Sequence, residues 1–358
     1  MPVGGVTILA LIFMFHPPTR TIESDPFQEK LKRLDLIGAS IFIPGVIMVL
    51  MGLQWGGITY PWSSGRIIGL FVGGGVLIAV FIVWQRRAGD EAMIPPAIFT
   101  QRTVFFACLC GAFGMGALTL IGLWLPEWSV TPGYDTHARH RLTSCEHRFQ
   151  VIKGNSPVNS GIHMLPSMIA QTVAAIISGI GITVLGYYNP FIIVGTVLMC
   201  IATGLLTTLK LDSGSAEWIG YQVINGFGAG FFLTAPMIAV QAVLSPAKTP
   251  VGIAIVTFFQ MFGGAFLAAL SQTIFNEKLV KELAKNVPDI DVGKLLVAGT
   301  AAIHKVVMPE QLPGVLQSYN TALLAPFYLG AAVTAVSSIC ALGLEWVNVK
   351  GKSLSPGA

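Results

Sequence analysis

The chain has 358 residues, of which 53% are hydrophobic and only 11% are charged, and its mean hydropathy is +0.72. Soluble globular domains carry about 25% charged residues, so this composition excludes a soluble protein. The net charge of +4 is modest, and because it comes from Lys and Arg between apolar runs we interpret it as membrane topology and expect no nucleic-acid partner.

The dominant pattern is a series of eight stretches, each of roughly 18 to 25 residues, with no charge in the interior. Such a stretch matches the roughly 30 Å hydrocarbon core of a bilayer, where a helix satisfies its own backbone polar groups. We therefore predict an all-α polytopic membrane protein. The predicted spans are 36–55, 67–85, 104–126, 164–186, 190–209, 218–243, 251–275 and 322–346.

A shorter apolar run at 3–15 precedes these spans. It has neither the basic start nor the small-residue cleavage site of a signal peptide. We expect it to be the remainder of a truncated transmembrane helix.

Lys and Arg predict the orientation, because short cytoplasmic loops are enriched in them. If the first helix ends on the cytoplasmic side, ten basic residues fall there, and the tail 347–358 is cytoplasmic. The polar stretch 276–321, with an amphipathic segment at 279–296, then becomes an extracellular loop. The ten residues are Arg20, Lys30, Lys32, Arg33, Arg86, Arg87, Arg102, Lys248, Lys350 and Lys352.

Gly and Pro within the spans suggest how the helices pack. Gly69 with Gly73, and Gly226 with Gly230, have the GxxxG spacing that lets helices approach closely in lipid. We interpret both pairs as packing motifs. The prolines that can kink their helices are Pro44, Pro236 and Pro326.

Polar residues within spans are the default functional candidates, because an uncompensated polar group is costly in hydrocarbon. Gln222 and Asn225 share one helix face, and Gln260 lies near the middle of the next span beside Phe258 and Phe259. These residues suit a cavity for a weakly polar, fairly large organic molecule. Hydrogen bonds between helices, worth about 0.6 kcal/mol each, are an equal alternative for the amides.

Acidic residues are absent from the predicted span interiors. Glu127 is the only acid near a predicted cavity mouth, and a solvated helix end is the alternative role for it. The His-rich stretch 137–147 fits no standard zinc spacing, so we predict no metal and no cofactor. The spans also lack the paired acids, Ser/His pair or HExxH motif of an intramembrane hydrolase, so we do not expect an enzyme.

Several segments resemble the second half of the fungal fourteen-span drug:proton antiporters of the major facilitator superfamily, a group that includes mycotoxin and multidrug efflux pumps. The matching segments are "FQVIKGNSPVNSGIHMLP" at 149–166, "IISGIGITVLGYYNPFIIVGTVL" at 176–198, 222–246, 251–279 and "LDLIGASIFIPGVIMVLMGLQWGG" at 34–57.

This resemblance implies the organisation of the chain. Residues 1–15 would be a remnant of the last helix of the N-terminal bundle, and 16–103 a cytoplasmic loop with two extra central transmembrane helices. Residues 104–346 would form the C-terminal six-helix transporter bundle. The opening "MPVGG" resembles an internal family motif, so the chain is expected to start mid-protein.

Residues 129–148 interrupt the family pattern with a polar, basic insertion. A retained intron explains the insertion best, because the apolar pattern resumes in register at Phe149. A genuine extracellular insertion is the alternative.

The resemblance implies proton-coupled efflux of hydrophobic small molecules, such as toxins or drugs, by alternating access. The protein would reside in the plasma membrane, with the vacuolar membrane as the alternative. A non-transporting remnant or membrane scaffold is the alternative function. The implied substrate-cavity residues are Gln222, Asn225, Gln260, Phe258, Phe259, Trp124 and Glu127.

Overall fold

The computed structural model describes residues 35–130 apart from 58, 164–209, 215–288, and 307–350 apart from 309. The side chains of Asp90, residues 126–130 and Ser215 are also outside what it describes. The predicted remnant at 1–15, most of the insertion at 129–148, and positions 351–358 of the predicted tail therefore lie outside the described residues.

The described residues fold into α-helices and contain no β-strand. Eight spans are long and apolar enough to cross a membrane, as the hydropathy pattern predicts. The helices are α1 (Leu36–Trp55), α2 (Gly65–Ala88), the short α3 (Pro96–Phe99), α4 (Arg102–Val130), α5 (Leu165–Leu185), α6 (Asn189–Leu206), α7 (Ser215–Phe232), α8 (Ala235–Val243), α9 (Thr249–Asn286) and α10 (Leu312–Leu342).

Local sequence explains where many helices begin and end. Asp35 caps α1 by accepting a hydrogen bond from the backbone N–H of Gly38, and Ser64 caps α2 through the N–H of Arg66. Gly89 ends α2 with a φ of +61°, a conformation that favours glycine. Six other helices carry a proline in the first turn, where its missing N–H costs no intrahelical bond. These prolines are Pro96, Pro166, Pro190, Pro236, Pro250 and Pro313.

The sixth span is broken into α7 and α8 just before Pro236, where Leu233 and Thr234 leave the helix. A proline cannot donate to the carbonyl four residues earlier and its ring clashes with that carbonyl. The break lets the two halves take different neighbours: α7 packs mainly against α5 and α6, and α8 against α4 and α9. Pro44 and Pro326, in contrast, lie inside helices that continue past them.

Glycines set the closest helix contacts. A Cβ added at Gly226 would lie 2.4 Å from the carbonyl oxygen of Ser167, and one at Gly230 would lie 2.3 Å from that of Gln171, both on α5. The packing interpretation of this GxxxG pair is confirmed. In the other pair Gly73 contacts Met48, but Gly69 has no atom of the described residues within 4 Å of such a Cβ, so the interpretation is wrong for Gly69.

The two helices α1 and α2 form a hairpin that rests on α9. Thr273 donates a hydrogen bond to the carbonyl oxygen of Leu53 at 2.8 Å, and Trp62 Nε1 donates to Glu277 at 2.6 Å. Most of the remaining hairpin surface is exposed and apolar, as expected for helices that face lipid.

One end of the molecule collects basic residues. Gln101 donates to the carbonyl of Val243 at 3.5 Å, and Arg102 to that of Gly343 at 3.1 Å. These contacts place the end of α2, the start of α9 and the chain after α10 at the same end. Arg86 and Lys248 are therefore grouped together, as the predicted orientation requires. We call this the basic end; its described basic residues are Arg86, Arg87, Arg102, Lys248 and Lys350.

Two helix boundaries differ from the predicted loop at 276–321. Helix α9 continues to Asn286, so its 38 residues extend about 57 Å and project beyond the bilayer, and α10 already begins at Leu312. Leu279 and Leu283 are fully buried and continue the apolar face of Phe275 at four-residue spacing. This spacing keeps the helix packed beside the first turns of α10, where Asn286 donates a hydrogen bond to Ser318.

Candidate functional site

The predicted site residues lie on three helices. They are Trp124 and Glu127 on α4, Gln222 and Asn225 on α7, and Phe258, Phe259 and Gln260 on α9. Helices α4 and α9 form a tightly packed pair, whereas α7 packs mainly against α5 and α6. The two groups of amides are thus on separate helix pairs within one bundle.

Gln260 lies between α4 and α9, about a third of the way along each helix from its N-terminus. It is only 4% exposed. Gly111 on α4 makes room for it, because a Cβ at that position would lie 2.9 Å from Gln260 Cγ. The side chain is therefore held by the helix contact itself.

Gln222 and Asn225 carry buried acceptor atoms without partners. The residues are 2% and 3% exposed, and neither Gln222 Oε1 nor Asn225 Oδ1 accepts a hydrogen bond from any described residue. An unsatisfied buried polar atom costs about 1–3 kcal/mol, so such atoms in a native structure require an explanation. A donor group on a bound molecule would satisfy them.

Trp124 is used in packing between α4 and α9. It is 4% exposed, its Nε1 donates to Ser271 Oγ at 2.9 Å, and its ring centroid lies 4.6 Å from that of Phe275. The side chain of Glu127, on the same helix, lies outside the described residues.

Phe258 and Phe259 face the α1–α2 hairpin, where an aromatic cavity of about 460 Å³ lies. Sequence reasoning missed this cavity, although the four-residue spacing of Phe258, Phe262 and Phe266 signals an aromatic helix face. The rings of Phe258 and Phe262 are stacked with a centroid distance of 6.1 Å. The lining residues are Phe42, Ile78, Phe81, Ile82, Gln85, Arg86, Ile94, Pro96, Phe99, Thr100, Phe258, Phe259 and Phe262.

The wall of this cavity is held by Asp35, which sequence reasoning also missed. Its carboxylate accepts hydrogen bonds from Gly38 N (2.7 Å), Trp84 Nε1 (2.9 Å), Gln85 Nε2 (2.7 Å) and Met93 N (3.1 Å). Burial raises the pKa of this carboxyl, but hydrogen bonds from Trp84, Gly38, Met93 and Gln85 together lower the pKa below its ordinary value of 3.8. Asp35 therefore stays ionised at neutral pH.

Gln85 connects the Asp35 carboxylate to the chain after α2. While its Nε2 donates to Asp35, its Oε1 accepts the backbone N–H of Ile94 at 2.9 Å. Both ends of this buried amide are used within the protein. Gln85 consequently has little capacity to bind a ligand in the cavity it borders.

Comparison with known proteins identifies a family match and several curated relatives. Residues 3–131 match the family described as "Fungal trichothecene efflux pump (TRI12)". The chain is 39% identical to the efflux pump roqT of Penicillium rubens over 98% of this chain and 61% of roqT, and 39% identical to the efflux pump MFS1 of Arthroderma benhamiae over 100% of this chain and 63% of MFS1.

A third relative is covered more fully. The acetylaranotin efflux transporter ataA of Aspergillus terreus is 37% identical over 96% of this chain and 72% of its own length. The chain thus spans about three-fifths of the length of the first two relatives and about seven-tenths of the third.

Proposed function

Because this chain belongs to the fungal efflux pumps of the major facilitator superfamily, we propose that it takes part in the export of hydrophobic small molecules across a membrane. The observation that carries this proposal is the similarity to named efflux transporters, which extends over nearly every residue of the chain. The eight apolar spans place the protein in a membrane as a multi-pass protein.

The bundle supports a substrate path with few polar contacts. Transporters of this kind bind substrate near the bilayer midplane and expose the site alternately to each side. Gln260 lies at mid-depth, and the unpaired oxygens of Gln222 and Asn225 offer acceptors to a hydroxyl or N–H group of a substrate. In this proposal the amides orient the molecule, whereas Trp124 packs between α4 and α9 and Phe258 and Phe259 face the α1–α2 hairpin.

Efflux can be tested in a yeast strain that lacks its own major drug pumps. Cells that express this chain should accumulate less rhodamine 6G than cells with an empty vector. Gln222→Leu and Asn225→Leu should each reduce efflux at an unchanged amount of protein in the membrane, because leucine keeps the size and removes the acceptor. Gly69→Ala, at a position with no described atom within 4 Å of an added Cβ, is the matched control and should behave as wild type.

Failure to export any of a panel of hydrophobic dyes and antifungal compounds, at normal membrane levels, would contradict the proposal. That outcome would favour the alternative of a non-transporting membrane scaffold.

We further propose that the export is coupled to protons, with Glu127 as the candidate proton carrier, and takes place at the plasma membrane. The family resemblance supports the coupling, and Glu127 is chosen because it is the only acid near a predicted cavity mouth. Efflux should then stop when a protonophore collapses the proton gradient, and Glu127→Gln should lower the pH dependence of efflux. Efflux that persists without the gradient would contradict the coupling. If the fluorescently tagged chain is found only at the vacuolar membrane, the proposed location at the plasma membrane is contradicted.

A further inference from the structure

The aromatic cavity between the α1–α2 hairpin and α9 has a location and a charge that the transport proposal does not use. One of its walls is formed by α2, on which Ile82 is 49% exposed, beside other exposed apolar residues such as Val80 and Val83. This surface faces lipid in a membrane protein. The cavity therefore opens toward the bilayer, at the side of the bundle.

Neither water nor empty space is a stable filling for this cavity. Its walls are six phenylalanines and several aliphatic side chains, and a buried water needs two to four polar partners. The polar neighbours are already engaged: Gln85 binds Asp35 and Ile94, and the hydroxyl of Thr100 donates to the carbonyl of Pro96. An empty space would forfeit dispersion contacts along the whole lining, so an apolar group is expected to fill it.

Arg86 gives the cavity mouth a positive charge. It is exposed, it lines the cavity, and within the described part of the chain it has no ion-pair or hydrogen-bond partner. Among the described residues that line the cavity, none is acidic. A guanidinium group binds phosphate through two parallel hydrogen bonds, so the mouth is complementary to an anionic head group.

The cavity lies at the basic end of the molecule, which the distribution of Lys and Arg predicts to be cytoplasmic. Anionic phospholipids are concentrated in the cytoplasmic leaflet, where they attract basic residues next to spans. An anionic phospholipid combines both required groups in one molecule: its acyl chain suits the aromatic cavity, and its head group suits the positive charge of Arg86.

We propose that the seam between the α1–α2 hairpin and α9 binds an anionic phospholipid of the cytoplasmic leaflet, with its head group at Arg86 and an acyl chain among Phe42, Phe258 and Phe262. The bound lipid fastens the hairpin to the bundle. This proposal does not depend on whether the chain transports a substrate.

The test is lipid binding to the purified chain in detergent, measured by native mass spectrometry. Dioleoylphosphatidylserine should bind more tightly than dioleoylphosphatidylcholine. Arg86→Gln should weaken phosphatidylserine binding by about fivefold and remove the preference between the two lipids. Ile82→Trp, which places a large ring at the exposed mouth, should weaken binding of the acyl chain of both lipids.

Arg87→Gln is the matched control, since Arg87 is exposed on the same end of α2 but does not line the cavity. It should retain the phosphatidylserine preference. Equal losses in Arg86→Gln and Arg87→Gln would overturn the proposal, because they would indicate general electrostatic attraction. Binding unaffected by Ile82→Trp would overturn it as well.

Discussion

Asp35 makes the densest set of polar contacts in the described part of the hairpin. It holds four N–H donors from α1, α2 and the chain after α2. Asp35→Asn should lower the free energy of unfolding by about 1.5–3 kcal/mol, because hydrogen bonds to an ionised acceptor are the stronger kind. Thermal unfolding in detergent measures this loss. Glu91→Gln, which changes an exposed acid at the same end, should have little effect.

The contribution of the Asp35 carboxyl to stability should depend on pH. Because the pKa of Asp35 is lower in the folded chain than its ordinary value of 3.8, its contribution to stability is complete above about pH 4. The contribution is lost as the pH falls through the lowered pKa. The stability difference between wild type and Asp35→Asn should therefore shrink on acidification below pH 4. A difference that is constant from pH 7 to pH 3 would show that the charge of Asp35 does not stabilise the fold.

Variants of Trp124 and Ser271 can show whether Trp124, a predicted site residue, has a structural role. Ser271→Ala removes the acceptor of the buried indole N–H and should cost about 1–3 kcal/mol of stability. Trp124→Phe removes the donor. If the hydrogen bond is the reason for the loss, the double variant should be less destabilised than the sum of the single variants. Additive effects would show that ring packing against Phe275 dominates.

At the scale of helices, the same GxxxG spacing has two outcomes. Gly226 and Gly230 contact the backbone of α5 and Gly73 contacts Met48, while Gly69, like the nearby Gly75, has no described neighbour within 4 Å of an added Cβ. Gly226→Ala and Gly230→Ala should each destabilise the fold by about 1–3 kcal/mol, because an added methyl group must push the two helices apart. Thermal stability in detergent provides the measurement. Gly69→Ala and Gly75→Ala are the matched controls, and a loss of stability in these two as large as in the first pair would contradict the packing explanation.

The break between α7 and α8 shows why span position and helix packing are separate questions. Pro44, Pro236 and Pro326 all occur within apolar spans, but only Pro236 interrupts its helix among the described residues. The chain at Pro236 changes neighbours from α5 and α6 to α4 and α9. That change brings the second half of the span to the helix that carries Gln260.

For the whole molecule, the orientation in the membrane can be measured with single cysteines and a membrane-impermeant maleimide. Arg87→Cys and Lys248→Cys should be labelled only after the membrane is permeabilised, because both lie at the basic end predicted to be cytoplasmic. Ser63→Cys and Lys285→Cys, at exposed positions of the opposite end, should be labelled on intact cells. The parent chain gives the background from its own cysteines. If one of positions 87 and 248 is labelled on intact cells and the other only after permeabilisation, the arrangement of the spans is refuted.

The sequence alone determined the number of spans, the all-α class, the family, and the limits of the spans within a few residues, except at the end of α9 and the start of α10. These features depend on local properties, since the bilayer selects any apolar stretch of sufficient length whatever surrounds it. The grouping of basic residues at one end followed from the same local information.

Only the tertiary structure decided which residues meet. The cavity joins Phe42 to Phe258, more than 200 positions apart in the chain, and Asp35 meets Trp84 across the hairpin. Such contacts depend on how helices rotate and pair, and in lipid this pairing is decided by close packing and polar contacts instead of by hydrophobicity. An apolar pattern is the same on a helix face that meets lipid and on one that meets another helix, so Gly69 and Gly226 could not be told apart before their neighbours were known.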